Sequence, residues 1–356
     1  MRIDRELPGY QREEESWNRN TRATALPRIR DVAKRAGVST MTVSRALNQP
    51  ALVRPETRAR VLVAVQELGY VPNGVARSLT RGRTDVIALV APDIQNPFFT
   101  TVSRGVEDVA HRYGYALTVG NTDEEPEKER RYLEMVAARR VDGVILATAG
   151  ADHVQHLQQR RIPLVLVDRI IPGVRTDSVV HDAYDGGRQL VRHLIEQGYR
   201  DIMFIGGMPR ISTIGARLDG CRDTMRAAGL TLSVRLGRLD RASGEEIAAS
   251  LCAEERTPEA VIAANNLVAV GALVELRRQG LRVPEDIALA CFGELEIAAL
   301  IDPFMTLIRE PAYELGRTAM EILHQRLRGA NHPPEQRVLP VELVTRRSTL
   351  RSTLPE

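Results

Sequence analysis

Cysteine is scarce in this 356-residue sequence and shows no pattern of spacing that builds a structural site. Cys221, Cys252 and Cys291 are odd in number, far apart and without C-x-x-C spacing. Such spacing indicates neither a disulfide framework nor a zinc site. We therefore predict three buried, reduced cysteines, and we expect no bound metal and no cofactor.

Long apolar runs are also missing. No stretch approaches the roughly 18 consecutive apolar residues of a membrane span. Residues 1–20, MRIDRELPGYQREEESWNRN, contain no apolar segment of the kind found in a secretory signal. We therefore expect a cytoplasmic protein with no membrane partner.

Catalytic motifs are a third absence. The sequence contains neither G-x-G-x-x-G nor a P-loop, and no spacing indicates a Ser-His-Asp set. The seven histidines are scattered, and His181 beside Asp182 is interpreted as a cleft or surface residue rather than a base. We predict a protein that is not an enzyme and has no catalytic residue.

Charge is present but unevenly distributed. The length favours two or three domains. Residues 28–83 contain eleven Lys or Arg against three acids, a net charge of +8, which leaves −5 for the rest of a chain whose total is +3. A compact basic segment beside a mildly acidic body indicates a polyanion-binding domain attached to a domain with another task.

The segment IRDVAKRAGVSTMTVSRALNQ, residues 29–49, predicts two short helices around Gly37. Ile29, Val32, Ala33 and Ala36 form an apolar stripe at i, i+3, i+4 and i+7. Ser39 is placed to cap a second helix. That helix turns Val43, Ala46 and Leu47 inward, and its outer face carries Thr40, Met41, Ser44, Arg45 and Asn48.

A third helix is predicted from Pro55 to the stop at Gly69, with Val61, Leu62, Val65 and Leu68 on its buried side. Three helices of this kind form a helix-turn-helix domain, whose second helix fits the major groove of DNA. Arg45 could donate two hydrogen bonds to guanine, Thr40 and Met41 could touch base edges, and Ser44 and Asn48 could hold phosphates. Helix pairs around a glycine also occur in domains that never bind DNA.

The motifs DVAKRAGVSTMTVSRALN and LGYVPNGVARSL together resemble the DNA-binding head and hinge of the lactose/galactose repressor family of bacterial transcription regulators. The resemblance implies that paired hinge helices enter the minor groove and that Leu79 wedges into the central base step, with Asn73 and Ala76 on the same helix and Tyr70 before it. Alternatively, Leu79 is an exposed linker residue. Arg28 and Arg54 stand where the family has capping Thr and Ser residues, which predicts a small loss of stability.

From residue 86 the sequence alternates between short apolar runs and amphipathic stretches. VIALVAP, ALTVGNT, GVILAT and PLVLVD form one series, and DIMFIGG, AVIAANN and IALACFG form a second. This alternation is typical of parallel α/β sheets, and two series predict two similar lobes. Open parallel sheets bind ligands beyond the carboxyl ends of their strands. The polar and aromatic residues at such positions are Asp93, Asn96, Phe98, Phe99, Asn121, Asp168, Arg169, Asp182, Arg217, Asn265, Asn266 and Glu294.

The body also resembles periplasmic sugar-binding proteins, as the family's body does, with an effector in the cleft between the lobes; the resemblance covers about residues 28–350. It implies that Arg217 in RLDG grips effector hydroxyls or acidic groups, a task that suits a guanidinium. Asp168, Asn265 and the Phe98–Phe99 pair match other pocket positions. A solvent-exposed role for Arg217, and strand-end or packing roles for the others, remain alternatives.

Two positions depart from the family pattern in this cleft. Asn265-Asn266 stands where the family has Asn-Asp, and Gly293, followed by Glu294, stands where it has a ligand-binding aspartate. Fewer acceptors beside Arg217 would favour a sugar acid or another anion. The anionic effector is our hypothesis from these two departures.

The fold expected is therefore α/β, a two-lobed core of parallel sheets preceded by a small all-α helix-turn-helix domain. We divide the chain into a disordered leader (1–27), the DNA-binding domain (28–71), a hinge (72–84), an effector-binding and dimerisation core (85–350) and a tail (351–356). The expected function is a ligand-responsive regulator, a repressor, that binds a near-palindromic double-stranded operator as a homodimer. A solute-binding receptor without DNA function is the alternative.

Overall fold

The computed structural model describes residues 27–71, 82–148, 150–294 and 305–351. The chain divides into two compact units, Met1–Arg81 and Gly82–Glu356. Within the described ranges, no helix combines the length and the apolar character that crossing a membrane requires. The small α-helical unit and the α/β unit confirm the expected fold class.

The N-terminal unit is built from the three predicted helices, α1 (Ile29–Ala36), α2 (Thr40–Asn48) and α3 (Pro55–Leu68). Gly37 ends α1 with φ of 64°, a left-handed conformation that glycine adopts without a Cβ clash. The Ser39 hydroxyl accepts a hydrogen bond from the Thr42 backbone N–H at 3.1 Å and so caps α2, as predicted.

The three helices share one small core. It contains Val32, Ala33, Ala36, Val43, Ala46, Val61 and Ala64. The prediction that Leu62 is buried is wrong, because its residue remains 43% exposed. The buried stripe of α3 runs through Val61 and Ala64, and one position along a helix turns a side chain about 100° away from such a stripe.

Neither helix with an arginine at its N-cap uses that side chain as the cap. The Arg28 backbone N–H donates to the Asp31 carboxylate at 2.7 Å, which supplies part of the missing capping. Helix α3 starts with Pro55, whose ring has no N–H to satisfy.

The first lobe of the larger unit is a six-stranded parallel sheet in the order β11-β5-β4-β3-β1-β2. Its strands are β1 (Val86–Ala91), β2 (Ala116–Asn121), β3 (Gly143–Leu146), β4 (Leu164–Val167), β5 (Asp177–His181) and β11 (Gln336–Leu339). The helices that follow its strands are α4 (Pro97–Arg112), α5 (Pro126–Ala138) and α6 (Ala151–Gln159).

The second lobe repeats this plan with the strand order β12-β10-β9-β8-β6-β7, in which only β12 is antiparallel to its neighbour. The strands are β6 (Ile202–Ile205), β7 (Ser233–Arg235), β8 (Ala260–Ala263), β9 (Ala288–Phe292), β10 (Thr306–Arg309) and β12 (Glu342–Val344). Its helices are α7 (Ala183–Glu196), α8 (Ser212–Ala227), α9 (Arg241–Cys252) and α10 (Asn266–Arg278).

The described chain passes between the lobes at three places. It leaves the first sheet after β5, returns after β10 through α11 (Ala312–Leu327), which packs on β3, β4 and β5, and passes again from β11 to β12. His181 ends β5 and Glu310 follows β10. Both residues therefore lie at a junction between the lobes.

The apolar runs predicted as strands became β1, β2, β3, β4, β6, β8 and β9. The segment VELVTRRST, residues 341–349, also predicts a final strand, and β12 lies within it. The predictions had no counterpart for β5, β7, β10 and β11. Strands β7 and β11 contain no fully buried residue, so they do not form a buried apolar run. Cys221 and Cys291 are buried and free as predicted, but Cys252 is only half-buried.

Three helix pairs pack backbone to backbone through reciprocal glycines. The pairs are Gly105 and Gly316 between α4 and α11, Gly187 and Gly220 between α7 and α8, and Gly244 and Gly271 between α9 and α10. A Cβ at Gly187 would lie 2.3 Å from the Arg217 carbonyl oxygen, and one at Gly220 would lie 2.1 Å from the Tyr184 carbonyl oxygen. These contacts fix the position of the helix that carries Arg217.

Gly220→Ala should destabilise the larger unit by about 1–3 kcal/mol, because the added methyl group must push α7 and α8 apart. Urea denaturation followed by circular dichroism measures the loss. Asp219→Ala on the same helix is the control, since its side chain is 65% exposed and should change stability by less than about 0.5 kcal/mol. Alanine is the better helix former by about 1 kcal/mol, so a gain in stability from Gly220→Ala would contradict the close packing.

Candidate functional site

The outer face of α2 presents the side chains that the sequence predicted for base contacts. Thr40 and Arg45 are exposed, and the Met41 residue is 61% exposed. Met41 and Arg45 are four residues apart, so they project from the same side of the helix. The described part of this unit, residues 27–71, holds eight Lys or Arg against three acids, a net charge of +5.

The predicted phosphate contacts, Ser44 and Asn48, are half-buried on α2. The Asn48 side-chain amide donates to the Ser44 carbonyl oxygen at 3.0 Å, which holds its orientation. Tyr70 packs against the helical core. Asn73, Ala76 and Leu79 lie outside the described residues. The DNA-binding roles of all these residues remain predictions.

The larger unit contains a cleft of about 680 Å³ at the carboxyl ends of both sheets. The first lobe contributes residues after β1, β2 and β4, and the second contributes residues after β6, β7, β8, β9 and β10. Nine of the twelve residues predicted at strand ends line it: Asp93, Asn96, Phe98, Phe99, Asp168, Arg169, Arg217, Asn265 and Asn266. The cleft therefore gathers residues from positions that the strand-end rule indicated.

Arg217 is buried in this cleft by three kinds of contact. Its Nη1 donates to the Ala264 carbonyl oxygen at 2.7 Å, and its Nη2 forms a hydrogen-bonded ion pair with the Glu310 carboxylate. Its guanidinium lies 4.7 Å from the centroid of the Phe292 ring, a cation–π contact. The side chains of Arg217 and Glu310 are only 7% and 4% exposed, so solvent screens this pair weakly.

His181 connects this ion pair to the first lobe. Its Nε2 lies 3.1 Å from the Glu310 carboxylate, and its Nδ1 lies 3.7 Å from the Asp168 carboxylate. Asp168 follows β4 with φ of 68°, a left-handed conformation that is uncommon outside glycine. Arg169 beside it makes a two-pronged ion pair with Glu124.

The two buried carboxyls respond differently to their surroundings. Burial alone would raise the pKa of Glu310, but Arg217 and His181 outweigh it and lower that pKa to about 2. Burial raises the pKa of Asp168 above its usual value, because His181, Arg169 and Arg217 only partly compensate for the lost hydration. Glu310 is therefore a fixed negative charge at neutral pH.

Several buried polar atoms around the cleft have no hydrogen-bond partner within the described ranges. They are Arg169 Nε, His181 Nδ1 and Arg217 Nε. Leaving a buried donor unpaired costs about 1–3 kcal/mol. The buried arginines Arg169 and Arg217 therefore have carboxylate partners, but not all of their N–H groups, nor both ring nitrogens of His181, have hydrogen-bond partners in the described chain.

Direct hydrogen bonds join the lobes across the cleft. The Asn266 side-chain amide donates to Asn96 Oδ1 at 3.2 Å, and the Ile170 backbone N–H donates to the Ser212 hydroxyl at 3.0 Å. Asn265 caps α10 by accepting from the Val268 N–H at 2.9 Å. Asn265 therefore fixes the start of α10, and Asn266 connects that helix to the first lobe.

Three residues predicted for the effector site do not line the cleft. Asn121 accepts from the Ile94 backbone N–H at 2.9 Å. Asp182 caps α7 by accepting from the Asp185 N–H at 2.9 Å. Glu294 pairs with Arg309 at 3.2 Å and with Arg346 at 3.1 Å. Each is used by a local structural contact.

Glu310 lines the cleft, although the apolar pattern of the sequence does not indicate it. It follows the short strand β10, which the hydrophobic pattern did not predict, and it is 93 positions from Arg217 along the chain. The expectation of fewer acceptors beside Arg217 is therefore wrong, because Glu310 supplies the carboxylate that Gly293 lacks. Recognising TLIRE as a strand followed by an acid would have been the available signal.

Arg217→Met should destabilise the larger unit by about 3–5 kcal/mol, because it leaves the Glu310 charge buried without its guanidinium partner. Glu310→Met should also be costly, for the converse reason. The double variant should lose clearly less than the sum of the two, since it removes both charges. Urea denaturation of the four proteins measures the coupling. Strictly additive losses would show that the pair is not energetically coupled.

Comparisons with known proteins give the same two-part organisation. Residues 28–73 match the family model described as bacterial regulatory proteins, lacI family. Residues 84–346 match the model described as periplasmic binding proteins and sugar binding domain of LacI family. These two matches cover the small helical unit and nearly all of the two-lobed unit.

Individual relatives match over nearly their whole length. The chain is 34% identical to the ribose operon repressor of Halalkalibacterium halodurans, over 90% of this chain and 96% of that protein. It is 35% identical to the HTH-type transcriptional repressor PurR of Aliivibrio fischeri, over 90% and 98%. A solved structure of the Lac repressor dimer bound to operator and the anti-inducer ONPF superposes with a TM-score of 0.81 at 26% identity, over 91% of this chain and 99% of that one. The chain belongs to the LacI family of bacterial regulatory proteins.

Proposed function

We propose that this chain is a cytoplasmic repressor that binds a near-palindromic operator as a homodimer and responds to a small molecule in the interlobe cleft. Its family is one of DNA-binding transcription regulators. The observation that carries the proposal is the presence, in one chain, of a basic helical unit with an exposed α2 face and of a cleft whose polar walls come from two lobes.

The DNA-binding roles follow from the chemistry of the α2 face. A guanidinium can donate two parallel hydrogen bonds to guanine, so we assign Arg45 to base recognition. Thr40 and Met41 are assigned to base edges, and Ser44 and Asn48 to phosphates. Tyr70, Asn73, Ala76 and Leu79 are proposed to extend the contact toward the minor groove.

The homodimer is proposed by analogy with the Lac repressor, which was solved as a dimer bound to operator. A two-fold dimer would place two copies of α2 on two half-sites, so the operator should be a near-palindrome. The hinge at residues 72–84 would then lie over its centre.

Effector binding is proposed to act through the angle between the lobes. The chain passes between them beside His181 and Glu310, which are themselves in contact. A ligand that touched both walls would stabilise one interlobe angle over another and shift the population of DNA-binding dimers.

A function without catalysis fits this proposal. The relatives described above are transcriptional repressors. The alternative function, a solute-binding receptor, would share the two-lobed unit. It would not require the basic helical unit or the exposed α2 face.

Binding to double-stranded DNA tests the proposal. Purified full-length protein is incubated with fragments of its own genome, and the retained fragments are footprinted at two salt concentrations. We expect retention of a near-palindromic site, with affinity falling at least about tenfold between 50 and 200 mM salt as phosphate contacts are screened. A failure to retain any duplex at 50 mM salt, with or without cell metabolites, would contradict it.

Arg45→Ala should weaken binding to the retained site by about 1–3 kcal/mol and relax the base preference at one position of each half-site. Arg60→Ala is the matched control, because it removes the same charge from an exposed position on α3. Anisotropy titrations with every single-base variant of the site measure both effects. Equal base discrimination by the wild type and Arg45→Ala would refute the assigned role.

A further inference from the structure

We propose that Glu310 sets the charge of the effector: by occupying Arg217, it excludes anions, so that the cleft takes an uncharged polyol or an amine-bearing one and not a sugar acid. This inference rests on the proposed function of the cleft as the effector site. It names Glu310 as a residue that determines specificity.

The charges that line the cleft already oppose an anion. Its acids outnumber its arginines by seven to four, a formal charge of −3. The acids are Asp93, Asp123, Glu124, Asp168, Asp240, Glu246 and Glu310, and the arginines are Arg169, Arg210, Arg217 and Arg238. A cleft with an excess of one sign favours ligands of the other sign or of none.

Most of the positive charge in the cleft is already neutralised by the protein itself. Arg169 pairs with Glu124, and Arg238 lies 2.7 Å from Asp240. Arg210 is the lining arginine for which no carboxylate lies within ion-pair distance in the described part of the chain, and it is exposed. Among the described arginines that line the cleft, Arg169 and Arg217 are the two that are buried, and each already has a carboxylate partner.

A ligand carboxylate at Arg217 would have to displace Glu310 or lie beside it. Displacement would leave Glu310 as a buried charge without its guanidinium, which is strongly unfavourable. Lying beside it would place two carboxylates on one guanidinium, with Asp168 nearby across His181. Hydroxyl groups avoid both penalties, since they accept from guanidinium N–H groups and donate to carboxylates. An ammonium group on the ligand would in addition be attracted by the carboxylates of Asp93 and Asp168.

Formate, the smallest carboxylate, tests this assignment without knowledge of the natural effector. Thermal unfolding of the full-length chain is followed as sodium formate replaces sodium chloride at constant ionic strength and pH 7. We expect no formate-specific shift for the wild type. Glu310→Gln and Glu310→Ala expose the Arg217 charge, so formate should raise their midpoints by at least about 2 °C in a concentration-dependent way.

Glu246→Gln is the matched control, because it removes the same charge from an exposed residue that lines the same cleft. It should behave as the wild type does. Stabilisation of the wild type by formate, an equal effect in Glu246→Gln, or no effect in either Glu310 variant would each overturn the proposal. If Glu310→Gln does not fold, Glu310→Ala decides the matter, since formate then replaces the missing carboxylate. If neither variant folds even with formate present, the proposal also fails.

Duplex binding by the same proteins separates this inference from the proposed function. Loss of DNA binding in every protein, with the formate response intact, would refute the repressor and leave Glu310 as the anion-excluding residue. Normal DNA binding by the wild type, with no formate response in either Glu310 variant, would refute the role of Glu310 and leave the repressor function standing.

Discussion

The buried ion pair between Arg217 and Glu310, with His181 in contact with both, constrains how the two lobes of the larger unit meet. Taking such charges out of water costs several kcal/mol for each ion, and only close pairing offsets it. The three residues come from α8, the junction after β10 and the end of β5. Their pairing therefore requires both sheets and α8 to be in place together.

This requirement links the fold to the cleft. Helix α8 can carry Arg217 to Glu310 only because Gly187 and Gly220 allow it to approach α7 closely. His181 and Glu310 lie at two of the three places where the described chain passes between the lobes. A ligand that alters the hydrogen bonding of this cluster therefore acts at the junctions about which the lobes would move, and no long relay of contacts within the larger unit is needed.

The local spacing of apolar and capping residues was sufficient to predict most of the helices and strands. Apolar spacing, Gly37, Ser39 and Pro55 located the three helices of the small unit, because helix ends depend on neighbouring residues. Seven apolar runs located strands. The exceptions are informative, since Leu62 was placed on the buried side of α3 although its spacing relative to Val61 and Ala64 turns it toward solvent.

The cleft was only partly predictable, for a physical reason. The ends of the strands could be predicted from the sequence, and those positions included Asp168, Arg217 and Asn265. Which acid neutralises Arg217 depends on a contact across 93 positions, and no periodicity encodes it. Gly293 suggested a missing acceptor, whereas the fold supplies one from β10. Asp182 and Glu294 looked suitable by position but are held by local contacts that spacing does not reveal.

Whether this cleft governs DNA binding is tested by the operator affinity of the full chain, measured with and without fractionated cell metabolites. One fraction should change the wild-type affinity by at least about tenfold, or 1.4 kcal/mol of coupling free energy. The double variant Arg217→Met/Glu310→Met should bind the operator but no longer respond. An operator affinity that no fraction alters, or a response that survives in the double variant, would contradict that role of the cleft.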